Sequence, residues 1–217
     1  MVRFKINDRE LKAAPGTTIL EAAGKAGIPI PHLCYLKEIN EIAACRMCMV
    51  EIEDMERLAP ACNTEVKEGM AVHTNTPRVR QARKTNLRLI LSQHNSNCTV
   101  CIRSGNCELQ QLCKELGVED QNYYDGEMTP AMIDTSAAHM VRDNNKCILC
   151  RRCVAVCEKV QGIGVIGANE RGFATFIGSA FEMGLGDTSC VSCGQCLVSC
   201  PFSAIVDKGQ IFQTVMA

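Results

Sequence analysis

Apolar and polar positions alternate from Val2 to Ile6 and again from Glu10 to Ala14, the period of strands, with Asn7-Asp8 between them as a hairpin signal. The period then changes. Thr18-x-x-Glu21 is a capping box opening a helix through Ala22, Ala23 and Ala26; Gly27 stops it, and Pro29 and Pro31 prevent continuation. Met49 to Ile52 predicts another strand and Ala71 to His73 a short one. Two strands, a helix and further strands within about the first 75 residues predict a β-grasp fold.

Thr76-Pro77 starts a second helix, with threonine as cap and proline at the first position. Val79, Ala82, Leu89 and Ile90 are expected on its apolar face; Arg80, Lys84 and Arg88 form a basic stripe that reads as a solvated face. Cys107 to Leu116 predicts a third helix, ended by Gly117. Residues 118–132 are acidic and polar, with Asp125-Gly126 and Pro130, and read as a linker.

The rest of the pattern is set by cysteine. Fifteen of the sixteen cysteines fall into four sets. Cys147, Cys150, Cys153 and Cys157 spell C-x2-C-x2-C-x3-C, and Cys190, Cys193, Cys196 and Cys200 repeat it 43 positions later, with Pro201 closing the second run. In such paired runs the fourth cysteine turns to the neighbouring cluster. The expected [4Fe-4S] ligand sets are therefore Cys147, Cys150, Cys153 with Cys200, and Cys157 with Cys190, Cys193 and Cys196. Zinc also uses C-x2-C, but a tetrahedral ion gives no reason for the swapped spacing.

Cys34, Cys45, Cys48 and Cys62 form a third set beside the β-grasp candidate, with spacing unlike the plant-ferredoxin pattern; on chemistry alone a [2Fe-2S] cluster and a zinc site compete. The fourth set is His94-x3-Cys98-x2-Cys101-x5-Cys107. One imidazole among three thiolates lowers the negative charge of the set and raises a cluster's potential. Cys113 is the rival fourth ligand. Six positions along a helix turn a side chain by about 240°, so Cys113 is expected to point away from a site held by Cys107 and to pack as a small hydrophobe. His32, His73 and His139 stand near no complete set and read as structural.

Composition narrows the class. The 217 residues include no Trp, six Phe and three Tyr, too few for large cores, and favour three small cofactor-stapled domains at 1–76, 77–131 and 132–217. No secretory signal opens the sequence and no apolar run approaches a membrane span. So many cysteines without an export signal read as metal ligands in a reducing cytoplasm. A net charge of −1 offers no long-range attraction for nucleic acid. Gly162 to Gly167 matches G-x-G-x-x-G but lies between the cysteine runs, where no βαβ unit fits, so it is not read as a nucleotide site.

With Pro-His-Leu-Cys34, Cys45-Arg-Met-Cys48, His94 to Cys107 and Cys107-Glu-Leu-Gln as anchors, the chain resembles the small iron-sulfur diaphorase subunits of NAD-linked and electron-bifurcating hydrogenases. It is similar also to the N-terminal electron-transfer segments of iron-only hydrogenases and of the complex I large iron-sulfur subunit. The resemblance implies a [2Fe-2S] cluster in the first domain, histidine ligation of the middle [4Fe-4S] cluster, and thus one [2Fe-2S] and three [4Fe-4S] clusters. It implies an electron relay between a flavin subunit that oxidises NAD(P)H and a partner redox enzyme, foremost a hydrogenase, within a hetero-oligomer. The same relay in a formate dehydrogenase or NADH:quinone oxidoreductase complex is the alternative. The sequence ends at Ala217, so the active-site domain of an iron-only hydrogenase is not expected here, nor catalysis by this chain alone. Glu158, where proline closes the second run, is a minor departure.

Overall fold

In a computed structural model that describes residues 1–119, 124 and 133–209, the chain is a set of small mixed helix–strand units. Strands β1 (Val2–Ile6) and β2 (Arg9–Ala13) form an antiparallel hairpin in register from Val2↔Ala13 to Ile6↔Arg9. Helix α1 (Ile19–Lys25) follows. Thr18 accepts from the Glu21 N–H and the Glu21 side chain reaches back to the Thr18 N–H, so the capping box read from sequence is made in full. Strands β3 (Met49–Ile52), β4 (Ala59–Pro60) and β5 (Ala71–His73) complete a five-stranded sheet of order β2-β1-β5-β3-β4, in which β1 and β5 run parallel. The short β4 was not anticipated: two residues ending in proline carry no strand period. Ile6, Ile19, Val50 and Val72, all fully buried, fill the space between α1 and the sheet.

Helix α2 (Pro77–Leu91) is capped by Thr76, whose hydroxyl accepts from the Val79 N–H and donates to Glu51. Its buried face is Val79, Arg83, Leu87 and Leu91; of the expected Val79, Ala82, Leu89 and Ile90 only Val79 is fully buried there, and Leu89 is exposed. Residues four apart stack on one face, and Arg83 occupies an apolar slot because its guanidinium finds the Met49 carbonyl at 2.8 Å. Of the basic stripe, Arg80 is exposed while Lys84 and Arg88 are half-buried. Helix α3 (Glu108–Leu116) packs on α2 and stops at Gly117, which adopts φ 60. Asp125, Gly126 and Pro130, on which the linker reading rested, lie outside the described residues.

In the last part, strands β6 (Ile133–Asp134), β7 (Met140–Asp143) and, much later, β10 (Ile205–Asp207) make one sheet. Between them come helix α4 (Arg152–Ala155), which widens into a π-helical turn over Val156–Val160, the hairpin of β8 (Gly167–Asn169) and β9 (Phe176–Gly178), and helix α5 (Gln195–Ser199). The G-x-G-x-x-G segment thus runs into a strand and opens no helix. A second core joins the parts: Leu33, Met47, Leu87, Leu91, Leu109, Leu112, Ile148 and Phe202 pack together with Cys34, Cys45 and Cys150. Among the described residues no helix is long and apolar enough to cross a membrane.

Candidate metal centres

Cys34, Cys45, Cys48 and Cys62 are all buried at the end of the first sheet. Cys45 and Cys48 project from a loop in which Ala43 and Arg46 adopt φ of 51 and 53, a conformation that turns backbone N–H groups inward. The Leu33 N–H donates to the Cys45 sulfur at 3.4 Å. The neighbouring Cys34 thiol pulls Cys45 down to about 6, against burial and with help from the Met47 and Leu33 N–H groups; the same contact pushes Cys34 far up. Cys48 is likewise lowered by Cys62, and Cys62 raised by Cys48. The sulfurs therefore form two contact pairs, Cys34 with Cys45 and Cys48 with Cys62, close enough that charge on one pair is felt by the other.

His94, Cys98, Cys101 and Cys107 line one cavity between α2 and α3. The His94 Nδ1 is buried without a hydrogen-bond partner, and burial holds the imidazole below its ordinary range, with Lys146 adding to the effect. The Cys101 sulfur is 3.0 Å from the Ser203 hydroxyl, and the Asn95 N–H donates to the Asn145 carbonyl at 2.7 Å, so the last unit closes one side. Cys113 lines the same cavity, and its thiol is raised by burial and by Cys107 and Cys98. The expectation that it points away is corrected. The helical angle was counted from Cys107, but Cys107 is the N-cap, extended at φ −131 and ψ 117, and its side chain does not follow the helical rotation.

Cys147, Cys150, Cys153 and Cys200 line another cavity, and Cys157, Cys190, Cys193 and Cys196 a further one. The backbone repeats with the sequence: Leu149 and Arg151 in the first run, and Ser192 and Gly194 at the matching places of the second, all have positive φ (57, 62, 55 and 74). Each run thereby curls around its cavity, and the Leu149 N–H donates to the Cys147 sulfur at 3.3 Å. Burial pushes the Cys147 thiol up to about 12 and the Cys150 and Cys196 thiols up to about 11. Ionising Cys147, Cys150 and Cys196 there calls for a compensating cation. Multi-iron clusters fit such donor sets, because the irons supply that charge and the thiolates stand around a volume. Among the described residues no three His, Cys, Asp or Glu side chains are close enough to hold a single ion.

His32 and His73 have ordinary partners, the Ile30 carbonyl at 3.0 Å and Glu53 at 2.8 Å. Two residues bearing on these sites escaped sequence reasoning. Asn40, fully buried, donates from Nδ2 to the Cys34 carbonyl at 2.7 Å and to the Cys150 carbonyl at 3.0 Å. No local signal marks it. Arg142 lines the cavity of Cys147 and Cys200; its place, two residues after Met140 on the strand leading to the first run, is the signal that an inward position was at stake.

Family models describe three stretches: a 2Fe-2S iron-sulfur cluster binding domain at 1–77, an NADH-ubiquinone oxidoreductase-G iron-sulfur binding region at 83–122, and a 4Fe-4S dicluster domain at 146–204. The chain thus carries 2Fe-2S and 4Fe-4S ferredoxin-type domains. The NADP-reducing hydrogenase subunit HndD of Solidesulfovibrio fructosivorans is 44% identical over 100% of this chain and 38% of its own length. An NADH-quinone oxidoreductase subunit of Rhizobium meliloti (strain 1021) is 38% identical over 95% of this chain and 24% of its own. The chain therefore spans well under half of these curated relatives. A chain of the NAD+-reducing [NiFe]-hydrogenase, solved in the H2-reduced state, aligns with a TM-score of 0.86 at 30% identity, covering 95% of this chain and 87% of that one. The chain belongs to the family of iron-sulfur electron-transfer subunits of NAD(P)-linked hydrogenases and NADH-quinone oxidoreductases.

Proposed function

We propose that this chain is a one-electron relay between a flavin subunit that oxidises NAD(P)H and a partner redox enzyme, foremost a hydrogenase, in a cytoplasmic hetero-oligomeric complex. It holds one [2Fe-2S] cluster on Cys34, Cys45, Cys48 and Cys62. Three [4Fe-4S] clusters are held by His94, Cys98, Cys101 and Cys107; by Cys147, Cys150, Cys153 and Cys200; and by Cys157, Cys190, Cys193 and Cys196. The domains are a β-grasp unit at 1–76, a histidine-ligated unit with its linker at 77–131, and a two-cluster ferredoxin unit at 132–217. The sheet order β2-β1-β5-β3-β4 with α1 packed on it supports the first, and the contact pairs of its four sulfurs suit two irons with two ligands each.

When bound, the clusters supply one-electron transfer with little movement of atoms. The chain's own residues hold the centres next to one another, and that adjacency carries the reading. Asn40 ties the backbone of Cys34 to that of Cys150, and Ser203, three residues after Cys200, touches Cys101. The set of Cys147 is thus approached from both the first and the middle sets, while the exchanged Cys157 and Cys200 join it to the fourth. An exposed Cys193 brings that fourth set nearest the surface.

Anaerobically purified chain is expected to hold about fourteen irons. About four irons with stoichiometric zinc would remove the relay reading. Alone it is expected not to reduce dyes with NADH, activity appearing once the flavin subunit is added. The resemblance to the NADH-quinone oxidoreductase relative of Rhizobium meliloti favours, as the second reading, the same relay in such a complex; co-purification from the source organism decides between them.

A further inference from the structure

Arg142 stands on β7, the middle strand of the last sheet, directly opposite Asp134 of β6 and Ile205 of β10. It is buried, with 6% of its surface exposed. Its Nη2 donates to the Asp134 Oδ2 at 3.2 Å. Asp134 is itself fixed from three further directions, by the Ser136 N–H at 3.0 Å, the Ser136 hydroxyl at 2.6 Å and the Leu185 N–H at 2.9 Å. The guanidinium is therefore gripped at one nitrogen by a carboxylate that cannot follow it elsewhere. Its Nε and Nη1 are buried and have no partner. Arginine–carboxylate pairs are often bidentate, whereas this one engages a single nitrogen of the fork. Buried N–H donors without an acceptor are costly, and such groups in a folded protein point to a missing partner. The place beside them is the cavity of Cys147, Cys150, Cys153 and Cys200, which Arg142 lines as its buried cation, Arg151 being the exposed one. The matching cavity of Cys157, Cys190, Cys193 and Cys196 has no charged residue in its lining.

We infer that Arg142 is a positioning and tuning residue whose spare N–H groups donate to sulfur of the cluster held by Cys147, Cys150, Cys153 and Cys200 and raise that cluster's reduction potential above its neighbour's. This deepens the relay reading and rests on it. The physics is electrostatic. One electron arriving from an adjoining centre adds one negative charge to the cluster; no bond breaks and the guanidinium keeps its proton. A fixed cation and hydrogen bonds to sulfur favour that reduced state, and low dielectric magnifies both. Burial of the same set works in the opposite sense, disfavouring the added charge, so without Arg142 this buried site would be the harder of the two to reduce. With it, two runs of identical spacing acquire different potentials, and an electron on the fourth set falls toward the site where the other sets meet.

The test uses the full chain, loaded anaerobically, with each [4Fe-4S] potential read by EPR-monitored redox titration and the signal assigned by its loss in Cys150→Ala. Arg142→Gln removes the charge and keeps N–H donors; Arg142→Lys keeps the charge and loses the planar fork. Arg142→Gln is expected to lower the equilibrium constant for reduction of that one cluster at least tenfold, about 59 mV for one electron, with Arg142→Lys shifting it less and the other clusters unmoved. Unchanged potentials, or equal shifts in every cluster, overturn the inference. Should Arg142→Gln not retain the cluster, the shift in Arg142→Lys decides; loss of that cluster's iron from both makes Arg142 a folding residue and overturns the tuning role. If the unaltered chain lacks [4Fe-4S] signals, it is the relay reading that fails.

Discussion

His94 and Cys113 face the same cavity, and one fourth donor is needed beside Cys98, Cys101 and Cys107. The unpartnered, buried Nδ1 of His94 favours the imidazole, since a buried ring nitrogen without a hydrogen bond is costly unless something else takes its lone pair. His94→Ala is therefore expected to lose one [4Fe-4S] cluster, about four irons, while the paired ferredoxin clusters stay. His94→Cys should keep the iron and make that cluster's potential more negative, because a thiolate replaces a neutral ring. Cys113→Ala should keep all iron and cost about 1 kcal/mol of packing. EPR and iron analysis of the three variants settle it; iron loss in Cys113→Ala with a silent His94→Ala would make Cys113 the ligand. Local spacing was enough to nominate His94. It misled for Cys113, because a cap residue and a helical residue cannot be compared by counting turns. Arg83 carried no reading at all from sequence, because its inward place depends on the Met49 carbonyl that receives it.

Among the elements, the two cysteine runs were the most legible, because a duplicated ligand spacing is local and demands a duplicated turn. The turn chemistry is nevertheless unequal. Gly194 takes its φ of 74 without strain, whereas Arg151, at the matching place in the first run, bears a side chain at φ 62. A Cβ built on Gly194 meets nothing nearer than the His139 Nε2 at 3.8 Å, so substitution there tests backbone strain and not crowding. Gly194→Val is expected to cost about 2 kcal/mol or somewhat more, since a β-branched residue disfavours positive φ most. The cluster of Cys157, Cys190, Cys193 and Cys196 should then bleach at lower denaturant than the other three. Arg151→Gly, relieving rather than adding strain, should leave its cluster as stable or more so. Equal behaviour of the two variants in a visible-absorbance denaturation series would sink this account. The capped starts of α1 and α2 were equally readable, since caps are local. The face of α2 was not: Leu87 and Leu91 are buried by α3 and by Leu33 and Met47, residues whose proximity no window of the helix records.

At the scale of the molecule, what the spacing could not reveal is which sets adjoin. Asn40 and Cys150 are 110 positions apart, and Cys101 and Ser203 are 102 apart, yet under the proposed relay it is these contacts that bring different sets together. Asn40 is the narrowest of these joints. One amide nitrogen serves two buried carbonyls, each belonging to a cysteine of a different set, and Arg152 reinforces it by donating to the Tyr35 carbonyl at 2.7 Å. Removing the amide leaves both carbonyls dry and unpaired, at about 1–3 kcal/mol each. The core of the first unit, built on Ile6, Ile19, Val50 and Val72, does not depend on Asn40, so each unit should still fold and load. Asn40→Ala is accordingly expected to keep its full iron content but to loosen the first unit against the last. Amide exchange should quicken around Cys34 and Cys150 first. Electron exchange between the [2Fe-2S] centre and the cluster of Cys147 should slow, read by freeze-quench EPR after reducing one centre with a fast donor, while exchange between the two ferredoxin clusters stays as it was. An unaltered rate alongside unaltered amide exchange would mean that the apolar core of Leu33, Met47, Ile148 and Phe202 holds the two units in register without Asn40.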